Sequence, residues 1–169
     1  QVTGASSWDE IAAAHAALPE PSRARWRIFK YLHEEKLDAL AAADLVVCRS
    51  GASSLGELPY VGLPAILVPY PYAWRYQKVN AQYLVARGAA EMLEDGALAA
   101  QLAARVSALM QDTQTLAAMR AEGLITALAC TPGLNAGDGC SNWATRAKHR
   151  CGFSTISTEP VRCATSGSA

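Results

Sequence analysis

The sequence has no excess of charge of either sign: fifteen Lys and Arg balance fifteen Asp and Glu over 169 residues. Without a basic surplus there is no bulk field to displace counterions, so no nucleic-acid partner is expected. Long apolar stretches are also missing. None approaches the roughly 18–20 residues that a membrane-spanning helix needs, which excludes a spanning helix and leaves attachment at a membrane surface open. The five cysteines form no C-x-x-C pair. Cys140, Cys151 and Cys163 are separated by ten and eleven residues. A zinc site needs closer pairs and His149 does not complete one, so no metal is expected. Cys48 stands alone in a body that reads as cytosolic, so a disulfide framework is not expected either. Finally, the chain opens Gln1-Val2-Thr3-Gly4 with neither Met nor a signal peptide. Val2-Thr3-Gly4 reads as the end of a buried strand, and the expectation is a piece of a longer protein.

What is there suits one globular domain. Hydrophobic residues make up 51% of the chain, charged residues 18% and aromatics 7%, enough apolar surface for a sizeable core. The apolar pattern predicts a helix over 9–18, stopped by Pro19-Glu20-Pro21, and a strand over 25–31 from its alternation. It predicts a helix over 34–43, a buried strand over 45–48, a helix over 54–61 and a buried strand over 65–68. A helix over 76–87 should stop at Gly88, before a short strand over 90–93. Two helices follow over 98–110 and 113–129, the first with an apolar stripe of Leu102, Val106, Leu109 and Met110. Strand and helix alternate, which predicts an α/β fold: a Rossmann-like, mostly parallel sheet with helices on both faces. From Thr131 the periodicity stops and Gly, Ser, Thr and Cys dominate. The expected division is therefore a partial domain over 1–130 and a tail over 131–169 that is either an irregular extension or non-native sequence read past a frameshift, the second being favoured.

Parallel sheets bind ligands beyond the carboxyl ends of their strands, which directs attention to the loops after Cys48 and Val68. Arg49-Ser50-Gly51-Ala52-Ser53-Ser54 combines small side chains with the start of a helix. A ligand can approach such a backbone closely, and unpaired N–H groups with the helix dipole favour a diphosphate. The Ser53 and Ser54 hydroxyls would add donors. Ser54-x-x-Glu57 also matches a capping box. Alternatively, Glu57 offers two carboxylate oxygens to the vicinal diol of a ribose. In the second loop, Gln77 and Asn80 share a helix face. Their amides suit sugar hydroxyls, or Asn80 binds the adjacent loop instead. Arg75 is either a phosphate partner or a solvated charge.

Taken in order, Ala43-Asp44-Leu45-Val46-Val47-Cys48-Arg49-Ser50-Gly51-Ala52-Ser53-Ser54-Leu55-Gly56-Glu57-Leu58, Gly62-Leu63-Pro64-Ala65-Ile66-Leu67-Val68-Pro69-Tyr70-Pro71, Gln77, Asn80-Ala81 and Gly88-Ala89-Ala90 resemble the donor-binding half of the MurG-type glycosyltransferases of glycosyltransferase family 28. The resemblance covers about 1–119. It implies the C-terminal half of a two-domain GT-B enzyme that moves N-acetylglucosamine from UDP-N-acetylglucosamine to a lipid-linked N-acetylmuramyl-pentapeptide in peptidoglycan synthesis. It further implies that Ser50, Gly51, Ala52, Ser53 and Ser54 line the diphosphate site and that Glu57 holds the ribose hydroxyls. Gln77 would hold the sugar, with Asn80 supporting that loop, and the backbone around Leu32, between Tyr31 and His33, would pair with uracil. Tyr76 departs from the His or Gln more usual before Gln77. By the same resemblance no cofactor is needed. The acceptor loops, the general base and the membrane-docking surface belong to the other domain, and the enzyme works at the cytoplasmic face of the bacterial inner membrane. The piece alone is expected to be inactive. Two alternatives remain from the sequence: a non-catalytic donor-binding subunit that pairs with a membrane partner, and another GT-B glycosyltransferase or an epimerase.

Overall fold

The computed structural model describes residues 1–72 and 76–130. The expectations for Arg75 and for the tail over 131–169, including its cysteines and His149, lie outside the described residues.

Among the described residues three strands form one parallel sheet: β1 (Val46–Cys48), β2 (Ala65–Leu67) and β3 (Ala90–Met92), in the order β1-β2-β3. The register aligns Val47 with Ile66 and Ile66 with Glu91. Parallel neighbours cannot be joined by a tight hairpin, so each connection crosses over through a helix. Helix α1 is Trp8–Ala16, α2 Glu20–Arg23, α3 Lys36–Ala42, α4 Ala52–Val61, α5 Tyr76–Val85, α6 Leu98–Gln111 and α7 Thr113–Cys130. Helix α4 links β1 to β2 and α5 links β2 to β3.

Alternation along the central strand builds two cores. Ala65 and Leu67 face one side, where Leu58 of α4 and Ala81 and Leu84 of α5 meet them. Ile66 and Val68 face the other, against Leu93, Leu109 of α6 and Met119 of α7. Side chains one residue apart in a strand point to opposite faces, so a strand buried on both faces must be continuously apolar. This is why Ala65-Ile66-Leu67-Val68 carries no polar residue. The expected doubly covered parallel sheet is therefore present. In α6, Leu102, Val106 and Leu109 pack as expected, but Met110 is 43% exposed. It lies one position beyond Leu109, about 100° round the helix, and Met119 supplies the methionine of that core instead.

Two expectations near the start fail. The strand over 25–31 reduces to one parallel bridge between Val2 and Phe29, flanked by Thr3 N–H to the Phe29 carbonyl at 3.0 Å and Gly4 N–H to the Lys30 carbonyl at 3.1 Å. Val2, expected in a buried strand, is exposed. The reason lies upstream. Pro19-Glu20-Pro21 ends α1 but also starts α2, because a proline at the first helical positions forfeits only an N–H that has no partner there. The turn continues through Arg25 and Trp26, whose N–H groups reach the carbonyls of Ser22 and Arg23 at 3.2 Å each, and takes up the first two residues of the predicted strand.

Helix α7 is seated by two glycines. Gly62 caps α4 in the left-handed region, at φ 59°. Gly123 of α7 lies so close that a side chain there would meet the Gly62 Cα at 3.6 Å and the Pro59 Cα at 3.7 Å. Gly88, φ 72°, ends α5 as expected, and the Ala89 N–H returns to the Leu84 carbonyl at 3.0 Å.

Candidate functional site

The loop after β1 runs straight into α4. Gly51 is the N-cap, with φ −64° and ψ 169°, and makes no side-chain capping bond. The helix thus starts at Ala52, two residues earlier than the apolar pattern predicts. That rules out the capping-box reading. Ser54 is already the third helical residue rather than the N-cap, and its Oγ donates to the Arg49 carbonyl at 2.9 Å. Its N–H is also engaged, with the Gly51 carbonyl at 3.1 Å. The Ser54 hydroxyl is therefore not the outward donor expected of it. Ala52 and Ser53 are exposed. A Cβ built on Gly51 or on Gly56 would meet nothing within 4 Å. The first turn of α4 thus presents open space and N–H groups for which an α-helix has no internal acceptor.

The loop is held from behind by α5. Ser50 is 1% exposed, and its Oγ donates to the Gln77 carbonyl at 2.8 Å. Asn80 Nδ2 donates to the Ser50 carbonyl at 3.0 Å. Of the two roles considered for Asn80, the structure gives the bond to the adjacent loop. Gln77 Oε1 accepts the Tyr70 N–H at 2.9 Å, which fixes the amide and the course of the second loop and orients Nε2 as a donor. Ser50, Gln77 and Asn80, which lie far apart in sequence, are thus one hydrogen-bonded unit. The carboxyl ends of β1 and β2 are locked to the start of α5.

Glu57 lies one turn further along α4 and turns towards α3. Lys36 Nζ lies 2.8 Å from its Oε1 and 2.7 Å from its Oε2. Leu32, half-buried, precedes Lys36 by four residues, and its backbone N–H and carbonyl form no hydrogen bond with another described residue. Beside Glu57, burial pushes the Cys48 thiol above its ordinary range, opposed by a side-chain hydrogen bond with Ser54. The Glu57 charge raises it further and the Lys36 charge lowers it.

Two residues escaped the sequence reading. Arg49 bridges all three strand ends: Nη1 reaches Asp95 Oδ1 at 2.5 Å, after β3, and the Val68 carbonyl at 3.4 Å, after β2. Its guanidinium also stands 5.4 Å from the centre of the Tyr70 ring, within cation–π range. Lys36 left no signal at all, because its partner is 21 residues away on a different helix. Arg49 at least sits inside the small-residue loop, at the carboxyl end of a strand.

Residues 1–129 match the glycosyltransferase family 28 C-terminal domain. Among curated relatives, the UDP-N-acetylglucosamine–N-acetylmuramyl-(pentapeptide) pyrophosphoryl-undecaprenol N-acetylglucosamine transferase of Roseiflexus sp. (strain RS-1) is 50% identical, over 53% of this chain and 23% of that protein. The protein of the same name from Desulforudis audaxviator (strain MP104C) is 46% identical, over 70% of this chain and 32% of its own length. The chain thus spans about a quarter to a third of these relatives. The crystal structure of Acinetobacter baumannii MurG superposes with a TM-score of 0.60 at 24% identity, covering 72% of this chain and 36% of that one. At that identity the likeness speaks for the fold.

Proposed function

Because the chain belongs to glycosyltransferase family 28 through its C-terminal domain, we propose that it binds UDP-N-acetylglucosamine as the donor half of a transferase that delivers N-acetylglucosamine to lipid-linked N-acetylmuramyl-pentapeptide. The observation that carries this reading is the exposed, small-residue start of α4 at the carboxyl ends of β1 and β2, with a carboxylate one turn on.

Each part of the donor has a chemical counterpart. The diphosphate sits at Gly51, Ala52 and Ser53, where backbone N–H groups, the Ser53 hydroxyl and the helix dipole offset its charge. In the same role, Ser50 and Ser54 shape the loop and leave the contacts to their neighbours. Glu57 accepts the two ribose hydroxyls, since a carboxylate keeps acceptor sites beyond those that Lys36 fills. Gln77 Nε2 donates to a hydroxyl of the sugar while Oε1 stays with Tyr70. The unengaged backbone of Leu32 pairs with the uracil edge.

Such a site contributes to transfer in two ways. It positions the anomeric carbon for attack from the acceptor side. It also stabilises the negative charge that develops on the departing UDP, because donors already aimed at the phosphates need no reorganisation. The acceptor, its base and the contact with the cytoplasmic membrane surface belong to a second domain. This chain alone is proposed to bind donor without transferring it.

Calorimetric titration of the chain with UDP, UDP-N-acetylglucosamine and UDP-glucose tests this. Binding of UDP with preference for the N-acetylated sugar is expected. Absence of heat with every uridine nucleotide overturns it.

A further inference from the structure

Resting on that donor-site reading, we propose that Lys36 is a positioning residue for ribose recognition: it straddles the Glu57 carboxylate and holds it in the one orientation that accepts the vicinal diol. Nζ is nearly equidistant from the two oxygens, at 2.8 and 2.7 Å. A single donor placed between them restrains rotation of the carboxylate about its last bond, which is otherwise a broad torsion. An ionised carboxylate has about four lone-pair sites, so both oxygens keep acceptor capacity for the hydroxyls of a 2′,3′-diol beside the ammonium.

The base from which Lys36 acts is firm. It is the first residue of α3, and α3 is anchored by Ala41, which is buried, and by Leu40 and Ala43, which pack on the core shared with α4. Glu57 projects from α4 toward it, so the pair ties two elements whose spacing is already fixed by packing. Both partners keep solvent contact, with side-chain exposures of 44% for Lys36 and 30% for Glu57. An ion pair at such a position adds little to stability, and its weight falls on geometry. A long, rotamer-rich glutamate loses conformational freedom on binding unless it is ordered beforehand. Lys36 orders it. The ammonium also offsets a carboxylate that would otherwise stand unpaired one helical turn from a diphosphate and repel it.

The two contributions separate in one experiment. The full chain and its Lys36→Met and Lys36→Arg variants are titrated calorimetrically with UDP and with 2′-deoxy-UDP, and folding is checked by circular dichroism. Loss of charge balance, or a loosened fold, weakens both nucleotides alike. Loss of positioning weakens UDP selectively, because only UDP offers the diol. A hydrogen bond to a charged group corresponds to about a tenfold effect, so the preference of the parent chain for UDP should shrink by about that factor in Lys36→Met and return in Lys36→Arg. In a Glu57→Gln background the Lys36→Met change should leave the ratio alone. Equal weakening of both nucleotides, or an unchanged ratio, overturns the positioning role while the donor-site reading stands. If the parent chain binds neither nucleotide, both fall together.

Discussion

Asn80 Nδ2 and the Ser50 carbonyl are joined by a hydrogen bond of 3.0 Å that fastens the loop after the first strand to the helix after the second. Ser50 is among the most buried side chains of the domain, so its carbonyl has no ready substitute from water. Replacing Asn80 by Ala removes the donor and leaves a buried acceptor unpaired, at a cost of about 1–3 kcal/mol. Urea unfolding of Asn80→Ala should show a lower midpoint with an unchanged slope. A midpoint equal to that of the parent chain would show that the latch carries no weight.

Gly62 offers a backbone test. Its φ of 59° lies in the left-handed region, and an added Cβ would stand 2.8 Å from the Leu124 Cγ. Gly62→Ala therefore combines conformational strain with a steric clash against α7. The strain alone costs about 1–2 kcal/mol. A fall in thermal midpoint is expected, larger than for Gly56→Ala, where nothing lies within 4 Å of the new methyl. Gly56 is helical, so alanine there should be neutral or stabilising. Equal effects at the two positions would contradict this reading of the α4–α7 contact.

The Cys48 thiol provides a pH test. Burial pushes its pKa above the usual range, and the Ser54 hydrogen bond offsets this only in part. Its folded pKa therefore lies above its unfolded one. The corresponding stability is intact below the unfolded thiol pKa, near 8.5, and is lost as pH rises through the folded value. Alkylation of Cys48 by iodoacetamide, followed by peptide mass spectrometry, should be slow at pH 8 in the folded chain and fast in urea. Folded-state labelling as fast as unfolded-state labelling would contradict it. In Cys48→Ala the decline of stability above pH 8.5 should be shallower than in the parent chain.

How much of this was legible beforehand follows from the physics of each element. The strand at 65–68 announces itself because a strand covered on both faces must be a continuous apolar run; 45–48 is as apolar although Val47 is exposed, and 90–93 is interrupted by Glu91. Gly88 marks a helix end because few other residues tolerate its backbone angles. The start of α4 is harder. Ser54 and Glu57 form a local pattern that reads as a cap, yet the extended backbone at Gly51 begins the helix earlier. Local spacing cannot reveal which of two small residues takes the N-cap. The alternation at 25–31 misleads for a related reason: α2 begins upstream and its turns run on into that stretch. The Lys36–Glu57 and Arg49–Asp95 pairs leave no sequence trace, because tertiary packing alone brings them together. Asn80 was open to two readings, and only the position of the Ser50 carbonyl chooses between them.

The central claim is that the start of α4 holds the diphosphate of a uridine nucleotide and that Glu57 holds its ribose. The most direct measurement is calorimetric titration of UDP into the full chain and into Glu57→Ala. Measurable heat with the parent chain and affinity weaker by about 1–3 kcal/mol in the variant are predicted. Undiminished affinity in Glu57→Ala, or no binding by the parent chain, would contradict the account.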